Sequence, residues 1–311
     1  MSYIKVIALV VVLYLSFPSS VFGWSKAGHM VTGALTYYEL KSRDPAALAR
    51  VISLLKKHPA YELEWEPAIA EFIDNDPDNE GLYLFMYAAR WPDDVRDDPD
   101  LHCERCHFIN YPFKPSGQPA SVVLQQPTGE NVVRAARRMA ETVRGQNPDS
   151  VKAMALCWVF HLTGDVHQPL HTSALFTTKF PQGDRGGTRF YIRVRADLPT
   201  IHLHRFWDGL IQGSEHFGSV QNKARSFRAR PELARAALTE LSETQFERWA
   251  KAESFAAAKE HGYRNGSLSG STNSNNGAVL PNGYVSNAQR VATRRAMLAG
   301  YRLSDMLQMW F

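Results

Sequence analysis

Cysteine is scarce in this chain: only Cys103, Cys106 and Cys157 occur among 311 residues. Three thiols cannot build a disulfide framework, so packing must hold the fold together. A strong excess of one charge is also missing. Lysine and arginine total 35 against 31 acidic residues, a formal net charge of +4, which argues against a protein that coats nucleic acid through bulk charge. Beyond the first 23 residues there is no apolar run of membrane-spanning length, no internal repeat and no linker that divides the chain. With 44% hydrophobic and 21% charged residues the composition is ordinary for a globular protein and excludes disorder and fibre.

The one apolar run, residues 6–17, follows Lys5 and leads through Pro18-Ser19-Ser20 to the exit Val21-Phe22-Gly23. About 12 apolar residues are too few to cross a bilayer, whereas this anatomy is that of a secretory signal peptide. Residues 1–23 are therefore predicted to be a signal peptide cleaved before Trp24, giving an exported protein, secreted or periplasmic, with no membrane anchor after cleavage. Lys5 is the only charge removed, so the mature chain carries +3. Residues 24–311 are expected to form a single domain.

Helical periodicity dominates that domain. Val132, Ala136, Met139 and Val143 recur at helical spacing, with Arg134, Arg137, Arg138 and Glu141 on the other face. Similar patterns cover 28–41, 45–57, 80–91, 149–166, 231–260 and 286–309. The clear alternation is TRFYIRVR, Thr188 to Arg195, which follows a turn-rich PQGDRGG and predicts a short β-hairpin near 188–198. Residues 265–283, rich in Asn, Gly and Ser, are expected to be a flexible surface loop. The fold class is all-α, mainly helical.

The chemistry concentrates in FHLTGDVHQPLH, residues 160–171. His161 and Asp165 are four apart on a helix, so imidazole and carboxylate converge on one point, which is metal-ligand spacing. Pro169 ends that helix and leaves His171 on the following loop. In HLHRFWD, His204 and Asp208 repeat the i,i+4 pairing, while His202 is out of phase. AARWPDDVR offers Asp93 or Asp94, CHFINYP offers His107, and WSKAGH offers His29. Imidazole and carboxylate donors without thiolate suit zinc, and a site with open positions for water is catalytic.

Taken in order, Trp24 with Gly28-His29 following, AARWPDDVR, HFIN, FHLTGDVHQPLH and HLHRFWD resemble the secreted zinc-dependent single-strand nucleases of fungi and plants, bifunctional enzymes with 3′-nucleotidase activity. That family shares its fold with zinc-dependent phospholipase C. The motifs run from Trp24 to Asp208, and the C-terminal third carries none. The resemblance implies a compact multi-helix fold holding three Zn²⁺. Asp93, His107, His161 and Asp165 would hold the first ion, Asp165 bridging to a second that also takes His29 and the α-amine and carbonyl of Trp24. His171, His204 and Asp208 would hold the third. A water activated by the paired zincs would attack a phosphodiester of single-stranded DNA or RNA and leave 5′-phosphate products. Arg96 would contact the phosphate and Phe108 would stack on a base. Asn110 stands where the fungal enzymes carry Asp, an amide with donors in place of an acceptor-only carboxylate. The implied partners are nucleic acid and nucleotide substrates, with no stable protein partner.

Three other readings compete, one of them an exported zinc-sequestering or adhesive protein that has lost catalysis, which would require no open coordination site. A phospholipase C would keep the metals and change the substrate, although HTSALFTTKFPQGDRGG offers no sustained apolar patch for a lipid interface. CERCH, residues 103–107, matches the pattern of c-type haem attachment, but a haem would claim His107 as its axial ligand and leave the other metal positions without a purpose. A local disulfide between Cys103 and Cys106 suits an oxidising compartment better.

Overall fold

Side chains at the helix ends account for several boundaries of the fold. The computed structural model describes residues 24–72 and 77–311; the expected signal peptide lies outside them. Ser25 caps helix α1, Lys26–Arg43, its hydroxyl accepting from the Gly28 N–H at 3.2 Å. Asp44 caps α2, Pro45–Leu55, accepting from the Ala47 N–H, with Pro45 in the first helical position, where it loses no internal hydrogen bond. A short α3, Glu66–Ala70, and α4, Pro77–Asp94, follow. Asn131 caps α5, Val132–Arg144.

Helix α6, Asp149–His167, is the centre of the molecule. It is buried without interruption from Ala155 to His167 and packs against α4, α5 and α11. Beyond it come α7, Leu203–Asp208, capped by His202, and α8, Phe217–Arg228. Short helical segments α9, Phe246–Arg248, and α10, Phe255–Ala257, precede the long α11, Tyr284–Trp310. Helix α1 packs on α4 and α11, so α1, α4, α6 and α11 enclose one apolar core with Trp24, Phe85, Phe160 and Trp207 inside it. Among the described residues no helix is long and apolar enough to cross a membrane.

The sheets are small, as a mainly helical fold requires. β1, Tyr111–Phe113, pairs in parallel with β2, Ser173–Leu175. β3, Tyr191–Arg193, lies between β4, Ile201–His202, and β5, Ala278–Val279, with Ile192 opposite Ile201 on one side and Ala278 on the other. The alternating segment thus becomes β3, antiparallel to a strand that starts at 201. The polar stretch 265–283 supplies β5 and an additional bridge from Ser271 to Tyr191, because main-chain pairing needs no apolar side chains.

One helical expectation is corrected. Residues 231–260 do not form one continuous helix: 231–233, 235–237 and 239–242 are separate 3-10 turns, whereas 246–262 is helical, with α-helical turns at 246–248 and 255–257 alternating with π-type turns at 249–254 and 258–262. Tertiary ion pairs override the local pattern: Arg235 reaches Glu39 and Asp305, and Glu240 accepts two bonds from Arg294.

Candidate metal centre

The helices deliver their polar residues to one buried place. His29 from α1, Asp93 from the last turn of α4, and His161 with Asp165 from α6 meet, joined by His107 from the turn Glu104–His107. Their ligand atoms form two groups, His29/Asp93/His161 and His107/His161/Asp165, with His161 common to both. A third group, His171/His204/Asp208, is built on the 3-10 turn Pro169–Thr172 and on α7. All eight side chains are at most 4% exposed.

Asp165 ties the groups together. Its Oδ1 is 3.3 Å from His29 Nε2 and 3.5 Å from His171 Nδ1, and its Oδ2 is 3.0 Å from His107 Nδ1. Burial alone would raise its pKa, but the imidazoles of His161 and His171 and the hydrogen bond with His107 hold it well below the ordinary carboxylate value. Asp93 is likewise lowered against burial by His161 and Arg96. Asp208 goes the other way: burial, with the like charges of Asp165 and Asp93, raises it well above the ordinary value despite a bond from Gln168. Burial and then the neighbouring His161 push His29 down to about 4, so its imidazole is neutral near pH 7.

Imidazole orientation is set by main-chain carbonyls. The Nδ1–H of His161 donates to Ala89 O at 2.9 Å, that of His171 to His107 O at 2.6 Å, and that of His204 to Gly186 O at 2.6 Å. In each ring Nε2 then presents a lone pair. The two lone pairs of His171 and His204 face each other at 3.1 Å, an arrangement that calls for a cation between them. Both ring nitrogens of His29, His107 Nε2, Asp93 Oδ2 and Asp165 Oδ1 are buried and make no hydrogen bond among the described residues. Each such group costs about 1–3 kcal/mol if left unsatisfied. Metal coordination would satisfy them, so three buried His/Asp groups here could hold metal ions.

Of the two candidates in AARWPDDVR, Asp93 turns inward, whereas Asp94 is exposed and bonded to Arg90 and Lys26. Pro92 lacks the N–H that would close the last turn of α4 onto Ala88, and next to that opening Ala89 O receives His161. Arg96 places Nε at 2.9 Å and Nη2 at 2.6 Å from Asp93 Oδ1. The Trp24 side chain is fully buried, and the Ser25 N–H donates to Asp208 O at 3.0 Å, which fastens the start of α1 to the end of α7. Phe108 and Asn110 line a cavity of about 610 Å³ whose wall includes His204.

Some residues that shape the centre carried no obvious mark in the sequence. Gln168 donates to Asp208 Oδ1 at 2.7 Å and accepts from the Leu170 N–H, which aims the carboxylate. Its signal was available: an amide between two histidines of the HQPLH run. His167, by contrast, donates to Thr163 O and faces Arg302, and so braces α6 against α11 instead of turning to a ligand. His202 caps α7, accepting from the Arg205 N–H.

Cys103 and Cys106 are disulfide-bonded, so neither sulfur is left for a thioether and the haem reading of CERCH falls. No curated protein matches the chain. The S1/P1 nuclease family model matches residues 24–311, the span that contains every one of these ligands. With that match over nearly the whole chain and the His/Asp groups buried at its centre, the protein belongs to the S1/P1 nuclease family, hydrolases of phosphodiester bonds in nucleic acid.

Proposed function

We propose that the protein is a zinc-dependent endonuclease of single-stranded DNA and RNA that leaves 5′-phosphates, and that it also removes the phosphate of 3′-mononucleotides. The observation that carries this reading is the contiguity of three buried His/Asp groups beside a cavity lined by Phe108 and Asn110. Imidazole and carboxylate donors fit three zinc ions: one at Asp93, His107, His161 and Asp165, one at His29 with Asp165 and the amine and carbonyl of Trp24, and one at His171, His204 and Asp208. Bound there, such ions lower the pKa of water and draw charge from phosphate oxygens.

The chain's own residues do the rest. Asp165, with one oxygen 3.3 Å from His29 Nε2 and the other 3.0 Å from His107 Nδ1, is the carboxylate that would be shared by the two neighbouring ions. Arg96 keeps Asp93 ionised and in place, and its planar guanidinium is the group that would contact a phosphate oxygen. Phe108 provides a stacking face that tolerates any base, and Asn110 offers both a donor and an acceptor to the base edge. Water adds to phosphorus, the bond to the 3′ oxygen breaks, and a 5′-phosphate and a 3′-hydroxyl result. Because the ligands are buried, a phosphate reaches them only if its strand leaves the duplex stack. That is the origin of the single-strand preference.

In this reading the chain is exported and cut before Trp24, which frees an amine that is a far better metal ligand than an amide nitrogen. The family match beginning at Trp24 and the complete burial of that residue support it. The test is incubation of protein starting at Trp24, with zinc, against single-stranded DNA, duplex DNA, RNA, 3′-AMP and phosphatidylcholine, with a chelator control. Cleavage of single strands that chelator abolishes is expected; cleavage of the lipid alone would replace this reading with phospholipase C. One extra residue ahead of Trp24 should lower activity by about 100-fold or more, since it converts the amine to an amide.

A further inference from the structure

A strained arginine stands at the mouth of the cavity. Arg185 has φ of 54°, in the left-handed region that glycine occupies readily, and its neighbours Gly183, Gly186 and Gly187 share positive φ. The strain is not local looseness. The Asp184 N–H donates to Leu175 O at 3.1 Å, the Leu175 N–H donates to Asp184 Oδ1 at 2.8 Å, and His204 donates to Gly186 O. The root of Arg185 is thus fixed to β2 on one side and to the third ligand group on the other. Yet its guanidinium is exposed and makes no hydrogen bond or ion pair among the described residues. A side chain held in a costly backbone conformation with no internal partner points outward to a ligand.

Two more arginines share its position. Arg105, beside the ligand His107, and Arg189 line the same cavity, are exposed, and also lack partners among the described residues. Of the two carboxylates in that lining, Glu130 is bonded to Arg138, which leaves Glu104 as the one not engaged. Arg189 also lines an adjoining groove of about 260 Å³ together with Lys179 and Tyr191, so the cationic path continues past the cavity. Planar donor forks suit phosphate oxygens.

We propose that Arg105, Arg185 and Arg189 form a rim that grips phosphates beyond the scissile one, so that the enzyme selects longer single strands over dinucleotides. This rests on the nuclease reading above. It assigns length selection to residues outside the metal cluster, and charge at the rim to affinity instead of to the chemical step.

The test compares zinc-loaded wild type with the variant Arg105→Gln, Arg185→Gly, Arg189→Gln. Glycine relieves the strain at 185, so the variant should melt no lower than wild type. Its KM for a thymidine strand of about ten nucleotides should rise about tenfold, with kcat unchanged and the dinucleotide KM within about twofold. The slope of log affinity against log salt, read by fluorescence anisotropy of the same strand, should flatten by about 2, since each phosphate contact on a single strand contributes about 0.7. Equal changes for strand and dinucleotide, or an unaltered salt slope, would overturn the rim. A wild type that binds the strand but cleaves no nucleic acid would instead overturn the proposed function, because anisotropy reads the rim without cleavage.

Discussion

The paired ligand groups and the third group use the same donor types but are held by different means. In the paired groups His29, Asp93, His161 and Asp165 stand on α1, α4 and α6, where helical hydrogen bonding fixes each backbone before any ligand arrives, and His107 alone stands on a short turn. His171 and His204 stand on a four-residue turn and a six-residue helix and are aimed by the carbonyls of His107 and Gly186. Charge differs in the same way. The imidazoles around Asp165 keep it well below the ordinary carboxylate value, whereas burial with nearby carboxylates raises Asp208. Asp165, ringed by imidazoles that include His171 of the third group, is held ionised, whereas Asp208 leaves more of that task to a bound cation.

The largest expected effect comes from removing the residue that joins the two regions. Asp165→Ala should lose at least about 10³-fold in kcat/KM and deplete metal from both paired groups, while His204→Ala should deplete only the third. Elemental analysis of protein confirmed as folded by circular dichroism checks this. Equal metal loss in the two variants would mean that the groups do not differ in how many ions each residue serves.

Two glycines sharpen the contrast at the level of the backbone. On α6, a Cβ at Gly164 would lie 2.7 Å from His29 Nδ1, a side-chain atom, in a helix that otherwise favours alanine. At Gly186, φ is +63° and a Cβ would lie 2.5 Å from Leu170 O, a backbone atom that cannot turn aside. Gly164→Ala should therefore displace the buried His29 ring, lower melting by less than the change at Gly186 does, and weaken metal binding at the paired groups. Gly186→Ala should cost about 1–3 kcal/mol of stability and weaken the third group. Thermal melts with and without competing chelator separate the two. If Gly164→Ala proved the more destabilising, the helical scaffold would not be the more tolerant one.

The same division explains what the sequence made legible. His161 with Asp165, and His204 with Asp208, could be read because helical spacing puts residues four apart on one face. The choice between Asp93 and Asp94 could not be read from spacing alone; it depends on the phase in which α4 ends and on Lys26 and Arg90, which hold Asp94 outside. The carbonyls of Ala89, His107 and Gly186 were invisible because every residue has one, and only the tertiary fold decides which of them faces an imidazole. Residues 231–245 failed as a helix for a related reason: ion pairs to Glu39, Asp305 and Arg294 outweigh a local pattern that looks continuous with the helical run at 246–262.

A histidine outside the ligand set gives the smallest effect and separates burial from ligation. His58 is 4% exposed, accepts from the Ala60 N–H through Nδ1 at 3.1 Å and stacks on Trp65 at 4.3 Å. Burial pushes its pKa from 6.5 to about 4, the same value as His29. A histidine with a depressed folded pKa takes up its proton in the unfolded chain first. Its contribution to stability is thus complete above about 6.5 and is lost as pH falls toward about 4, an upper limit of about 3 kcal/mol. If zinc binds as proposed, the ligand imidazoles would resist protonation through their ions, whereas His58 lies outside every one of the His/Asp groups. His58→Gln, which keeps an acceptor for the Ala60 N–H, should therefore flatten the loss of stability between pH 6.5 and 4, as measured by denaturant titration at each pH. If the variant instead keeps the slope of wild type, acid sensitivity belongs to the ligand histidines themselves, and binding of the ions does not shield the paired groups from protons.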